Sequence, residues 1–389
     1  MGTRTQRIRA IDTLRGISIL YMIVGHAAEF WLRGKDIWFP TLIPVTFGMI
    51  GSSMFIFISG ISLTLSYNAK KRKAQTDPHY FPINANLDFL VKTLCILGFA
   101  ILYNLIASTI LLYGTTIWIW FVLLSISIGR LCCFPFLKYN PWVRVIIAFL
   151  FFFFTDYLFT TLSTSQDLYP LYYFLFNGTR LDYPFPFFGF IFLGSAMGSW
   201  ISNFDLSSSD GNNYNQRFTG YSIIFGLILI ILGISLGLEL IYAQDSFARG
   251  YTNYINRNPF FQIEGIPQFL LRATTAWGIY CSGFHVIILT VFLHINKRNY
   301  SESLNNKPRG VVIFGQNSLT IYMFHYIIFL VYNGGFPIPF YFIAAPSVAI
   351  LIYIIMWFWV YKGNRKGTIE WLMRKSVNSV NKYFPRNKT

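Results

Sequence analysis

The chain reads as a succession of long apolar runs separated by short polar ones. About 20 apolar residues suffice for a helix to cross the hydrocarbon core of a bilayer. Windows of that length predict ten transmembrane helices, near 11–31, 41–67, 89–112, 115–136, 143–163, 184–203, 218–243, 268–295, 310–333 and 337–361. Lys and Arg set the orientation, because they concentrate on cytoplasmic flanks. With the N-terminus inside, 23 of the 31 basic residues flank the inner ends and five the outer ends. The expected fold class is an all-α integral membrane protein of about ten transmembrane helices, with N- and C-termini cytoplasmic. Its expected domains are a polytopic transmembrane domain over 1–361 and a basic cytoplasmic tail over 362–389, held at the surface by anionic lipid.

The first run departs from the apolar pattern. Arg9 to Trp31, RAIDTLRGISILYMIVGHAAEFW, carries Asp12, Arg15, His26 and Glu29 at spacings of +3, +11 and +3. With Ile19 and Met22 between them these positions form one continuous stripe on a helix. An Asp, Arg or Glu near the bilayer centre costs roughly 3 kcal/mol on insertion scales, so the stripe is expected to face protein or a wet cavity. For Asp12 and Arg15 the alternative is an interfacial position, paired with each other or with headgroups. Glu29, one turn from His26, would keep the imidazole basic and oriented, as a general base near neutral pH requires.

A second histidine lies at the same depth. At 1.5 Å per residue, His26 and His325 each stand roughly 22 Å above the inner start of their helices. His325 shares a stripe with Gly315, Ser318 and Tyr322, a small and polar helix face suited to close packing in a bundle. Asp156, and Arg180 with Asp182, fall at the outer level; Asp182 also fits as a cap for the helix that Pro184 and Pro186 open. The long outer loops 164–183 and 244–267 are candidates to cover a site. His79, His285 and His294 read as ordinary solvated or core histidines.

Composition agrees with a membrane chain: 54% hydrophobic, 20% aromatic and 12% charged residues, about half the charge of a soluble domain. A formal net charge of +16 then reports topology, and no nucleic acid is expected as a partner. The four cysteines have neither metal-ligand spacing nor a disulfide framework, and no metal site is expected.

Four stretches together carry a family resemblance. RAIDTLRGISILYMIVGH resembles the opening helix of the transmembrane acyltransferase superfamily, which includes acyltransferase family three and the heparan-alpha-glucosaminide N-acetyltransferase family with its prokaryotic relatives. GSSMFIFISGISLTLSY (51–67), followed by the basic run 70–73, resembles the second helix of the heparan-type group. RLDYPFPFFGFIFLGSAMG (180–198) and GQNSLTIYMFH (315–325) resemble two of its later segments, in the same order. The animal heparan enzymes differ in one respect, with asparagine where His26 stands and a histidine in the following loop; here that loop has none.

The resemblance implies a membrane-bound acyltransferase, moving an acyl group, acetyl in the first instance, from cytoplasmic acyl-CoA to a sugar or other envelope acceptor near the outer side. His26, Glu29 and His325 are the catalytic candidates, with direct attack and a covalent acyl-histidine both open. Arg15, Asp12, Lys70, Lys71, Arg72 and Arg130 are expected at the coenzyme. Arg180, Asp182, Asp156, Asn317 and Ser318 are expected at the acceptor or the oxyanion. The expected partners are acyl-CoA, a sugar or glycolipid acceptor and the bilayer of the cell membrane, with a homodimer allowed. A transporter or flippase for a lipid-linked or small anionic solute is the alternative, since it too would need intramembrane Asp, Arg and His.

Topology is directly testable. Cysteines introduced near Gln166 and Asn253 should react with an impermeant thiol reagent applied to sealed cells, and cysteines at Ala74 and Asn378 should not. External labelling of Ala74→Cys would overturn the assigned orientation.

Overall fold

A computed structural model describes residues 8–76, 82–111, 118–176, 184–204, 213–242, 249–258, 260–298, 310–330 and 335–383. Arg180, Asp182 and His79 lie outside them. The described chain is all-α apart from one two-stranded ribbon. It divides into two units: one comprises Met1–Arg7, Ile56–Asp205 and Gly367–Thr389, the other Ile8–Phe55 and Leu206–Lys366.

The first unit holds most of α3 (Ser52–Thr76), α4 (Pro82–Leu111), α5 (Val122–Cys133), α6 (Pro141–Thr164), α7 (Tyr169–Phe176), α8 (Pro184–Ile201) and α15 (Ile369–Tyr383). Helix α8 is apolar on every side and buried along almost its whole length, which identifies it as a core helix. Proline in its first turn is harmless, because the N–H groups there have no partner within the helix. Small residues let α3 and α8 approach backbone to backbone: a Cβ at Gly60 would strike the Ile191 carbonyl, and one at Gly194 the Phe57 carbonyl.

Arg144 in α6 is 1% exposed. Its guanidinium donates to Thr64 Oγ1 (3.3 Å), the Ser195 carbonyl (2.8 Å), Ser195 Oγ (3.3 Å) and Ser199 Oγ (2.6 Å). These neutral oxygens replace the water the cation gives up on burial and tie α6 to α3 and α8. Helix α15 lies against α4, with Ile369 and Val377 buried.

The second unit is built around α1 (Arg9–Trp31), which touches α2 (Trp38–Phe47), α11 (Thr275–Arg298), α12 (Val311–Gln316), α13 (Ser318–Leu330) and α14 (Ile338–Tyr361). Its contact with α12 is set by two glycines: a Cβ at Gly16 would collide with the Val311 carbonyl, and one at Gly315 with the Asp12 carbonyl. Hydrogen bonds fix α1 elsewhere. Tyr21 Oη donates to the Ile43 carbonyl (3.0 Å) and Tyr341 Oη to the Val24 carbonyl (2.8 Å). At the helix end, the Phe336 N–H donates to the Trp31 carbonyl (2.8 Å) and the Arg33 N–H to the Phe336 carbonyl (3.2 Å). Helices α9 (Asn213–Leu236) and α11 lie together. Beyond α9, β1 (Leu240–Tyr242) pairs antiparallel with β2 (Gly265–Pro267), Ile241 opposite Ile266; the short α10 (Arg249–Ile255) falls between them.

Several apolar runs are less regular than their hydropathy. The run 41–67 contains two helices, α2 and α3, separated by a turn at residues 48–51. In the run 268–295 a 3-10 turn, Gln268–Leu270, precedes a helix that starts at Thr275, after Ala273 with φ 72°. The run 310–333 breaks at Asn317, whose φ/ψ of −123°/30° is not helical. Seven stretches among the described residues are long and apolar enough to cross a membrane: Gly34–Gln75, Asn86–Ile106, Pro141–Thr164, Pro184–Ile201, Asn213–Leu236, Thr275–Asn296 and Ile338–Tyr361. Helix α1, diluted by its polar stripe, is not among them, nor are α5 with 12 residues and α13 with 13.

Gly315→Val tests the α1–α12 contact. Overpacking a tight site costs about 1–3 kcal/mol, and here the obstacle is backbone, which cannot move aside as a rotamer does. A clear drop in the melting temperature of the detergent-purified protein is expected. An unchanged melting temperature would mean that the two backbones do not approach this closely.

Candidate active site

The polar stripe of α1 faces protein. At its far end, His26 and Glu29 are about a quarter exposed, and His26 Nδ1 lies 3.1 Å from Glu29 Oε2. An ionised carboxylate only accepts hydrogen bonds, so the imidazole proton sits on Nδ1 and Nε2 keeps its lone pair. Tyr326 Oη stands 3.1 Å from Nε2 and 3.3 Å from Nδ1, and its hydroxyl donates to that lone pair. His325 completes the group, its ring centroid 5.5 Å from that of His26 and 4.4 Å from that of Tyr326. The two histidines expected at one depth are therefore neighbours. Phe30 stacks on Phe329 at 5.8 Å and meets Tyr326 edge-on at 5.8 Å, so aromatic rings wall this cluster.

At the Arg9 end of α1 the stripe joins a second polar network. Asp12 is 4% exposed. Its carboxylate lies 3.9 Å from the Arg15 guanidinium and accepts from Gln316 Nε2 at 3.2 Å. Gln316 Oε1 in turn accepts from Arg365 at 2.6 Å. Asp12 thus organises two arginines, one directly and one through an amide. Asn317 stands at the helix break, fully buried, its Nδ2 donating to the Ile313 carbonyl at 2.9 Å. Ser318 opens α13 and is buried.

The other expected residues fall in the first unit. Lys70, Lys92 and Arg130 line a narrow cleft with Ser66, Tyr67, Phe89 and Phe134. Lys70 pairs with Asp88 at 3.0 Å, and the Arg130 guanidinium lies 5.8 Å from the Phe89 ring centre. Three basic side chains thus meet in this cleft. Lys71 and Arg72, expected with Lys70, are exposed and do not line it. Asp156 is half-buried in α6.

Two residues escaped the sequence reading. Tyr326 is one of 25 tyrosines in a strongly apolar helix, and nothing in its spacing separates it from a packing residue. Lys92 stands alone among apolar neighbours in the sequence; its isolation in a predicted span was a signal, because a lone intramembrane cation seeks a polar site. His285 has ordinary core partners, with Nε2 2.8 Å from the Met49 carbonyl and 3.2 Å from Ser53 Oγ.

The family model described as heparan-alpha-glucosaminide N-acetyltransferase, catalytic, matches residues 7–226, more than half of the chain. The match takes in Arg15, His26, Glu29 and the basic cleft, and ends before Gln316, His325 and Tyr326. No curated protein matches the chain.

Proposed function

The chain belongs to the heparan-alpha-glucosaminide N-acetyltransferase catalytic family, a family of membrane acetyltransferases, and on that premise we propose that His26 is its general base. The reaction is transfer of an acyl group, acetyl in the first instance, from cytoplasmic acyl-CoA to an amine or hydroxyl of a sugar or other envelope acceptor. The observation that carries this reading is the hydrogen-bonded set Glu29–His26–Tyr326, in which a carboxylate holds Nδ1 and leaves the Nε2 lone pair for a proton.

In the proposed step the acceptor takes the place of the Tyr326 hydroxyl at Nε2. Its N–H or O–H proton passes to His26 as its heteroatom bonds to the acyl carbon. The carbon–sulfur bond breaks, and the coenzyme thiolate leaves and takes up that proton. Glu29 steadies the imidazolium formed in between, much as a carboxylate does in other base–orienter pairs. Asn317, Ser318 and the amide N–H groups that open α13 are the candidates to meet the oxyanion. Arg180, Asp182 and Asp156 are assigned to the acceptor. For the coenzyme phosphates, Arg15, held by Asp12, is the candidate of the second unit, and the cleft of Lys70, Lys92 and Arg130 is that of the first, each taken by itself. Ten spans with both termini in the cytoplasm, in the cell membrane, complete the reading.

Two experiments test it. His26→Ala should lower turnover by roughly 10²–10⁴, the usual range for a positioned acid–base group, while acyl-CoA binding persists. Glu29→Gln should do less, and the double variant should be little worse than His26→Ala alone, as expected of residues acting as one unit. Retention of more than about a tenth of the activity in His26→Ala would remove the base role. Arg15→Ala should weaken acyl-CoA binding and Arg15→Lys should recover part of it, because lysine restores the charge without the planar fork. Equal affinity in Arg15→Ala and wild type would leave Arg15 a structural partner of Asp12.

A further inference from the structure

His325 carries an unmet hydrogen-bonding atom beside the base. Its side chain is 3% exposed. Nδ1 lies 2.7 Å from the Tyr322 carbonyl, and since a carbonyl only accepts, the imidazole proton must sit on Nδ1. Nε2 is then a bare lone pair, and it is buried without a hydrogen-bond partner. Buried polar atoms of native proteins nearly always have a partner, so an orphan beside a candidate active site calls for one. In this structure Tyr326 does not fill that place: its ring is only 4.4 Å away, but its hydroxyl lies against the nitrogens of His26.

The chemistry of the missing partner is restricted. A lone pair takes a donor, which excludes a carboxylate or a phosphate dianion. A hydroxyl, with one proton to give, meets that need.

We infer that His325 Nε2 recognises a second donor group on the acceptor, a hydroxyl next to the nucleophile, and so sets the specificity of the site. This rests on the acyltransferase reading with His26 as base. The acceptor class is then an amino alcohol or a diol with adjacent groups, as on a sugar ring, one group approaching His26 and the other donating to His325. A site built to hydrogen-bond a hydroxyl discriminates strongly against an analogue lacking it, because the buried polar atom is left unpaired.

The test compares trans-2-aminocyclohexanol with cyclohexylamine, which differ by that one hydroxyl, using the full-length detergent-purified protein and acetyl-CoA. The readout is the ratio of kcat/KM for the two acceptors, so a general loss of rate cancels. Wild type should favour the amino alcohol by about tenfold or more, well within what a hydrogen-bonding site achieves. His325→Phe should bring the ratio to about one, and His325→Gln, which keeps an acceptor atom, should restore part of it. Melting temperature and acetyl-CoA binding verify folding of each variant. A ratio near one in wild type, or the wild-type ratio retained in folded His325→Phe, overturns the inference, as does an equal loss on both acceptors. Absence of acetyl transfer to any acceptor, and of acetyl-CoA hydrolysis, in wild type overturns the acyltransferase reading itself and this inference with it.

Discussion

The second unit depends on a steric constraint between two stretches of backbone. Gly16 meets the Val311 carbonyl and Gly315 meets the Asp12 carbonyl, and neither position has room for a Cβ. In a lipid environment no hydrophobic force drives helices together, so close packing and interhelical hydrogen bonds must do so. The two glycines bring α1 and α12 near enough for the amide of Gln316 to reach Asp12. With α1 and α13 also in contact, the ring of His325 stands beside that of His26. Polar groups that would be costly against lipid are thereby turned toward each other.

The first unit meets the same difficulty in a different way. Arg144 is a buried cation bonded to hydroxyl and carbonyl oxygens of α3 and α8, and the close approach of those helices at Gly60 and Gly194 brings the oxygens within reach of one guanidinium. Planarity and five donors in a fixed fork suit arginine to this task, where lysine would present a point charge. The cleft lined by Lys70, Lys92 and Arg130 is different in kind: it gathers three basic side chains, and Lys70 pairs with the Asp88 carboxylate at 3.0 Å.

How much of this was legible in the sequence follows from which forces act locally. Asp12, Arg15, His26 and Glu29 share a face because helix geometry alone dictates it, and the cost of exposing them to lipid directed that face toward protein. Equal depth, a one-dimensional coordinate, is what sequence offers for His26 and His325; that they are neighbours is a lateral fact the structure supplies. Hydropathy averages over windows and is blind to single residues, so it missed the break at Asn317 and the turn at residues 48–51 that divides α2 from α3. Nor does it tell that Arg144, a basic residue three positions into a helix, is buried among hydroxyl and carbonyl oxygens. Tyr326 was beyond reach for a related reason: a hydroxyl's role depends on what stands opposite, and that is decided by the rotation of α13 about its axis.

That rotation also gives the two histidines unlike roles. Each has its proton fixed on Nδ1 by an acceptor in its own helix, Glu29 one turn after His26 and the Tyr322 carbonyl one turn before His325. Both therefore present Nε2 as a lone pair. His26 has an ionisable partner and is itself about a quarter exposed, whereas His325 Nδ1 faces a neutral carbonyl and its side chain is almost wholly buried. A proton arriving at His26 is met by a carboxylate, and one arriving at His325 would be a cation in a buried setting, a costly state unless it is paired. Equal tautomers in unequal surroundings thus favour the proposed roles, His26 as the base and His325 as the acceptor of a hydrogen bond.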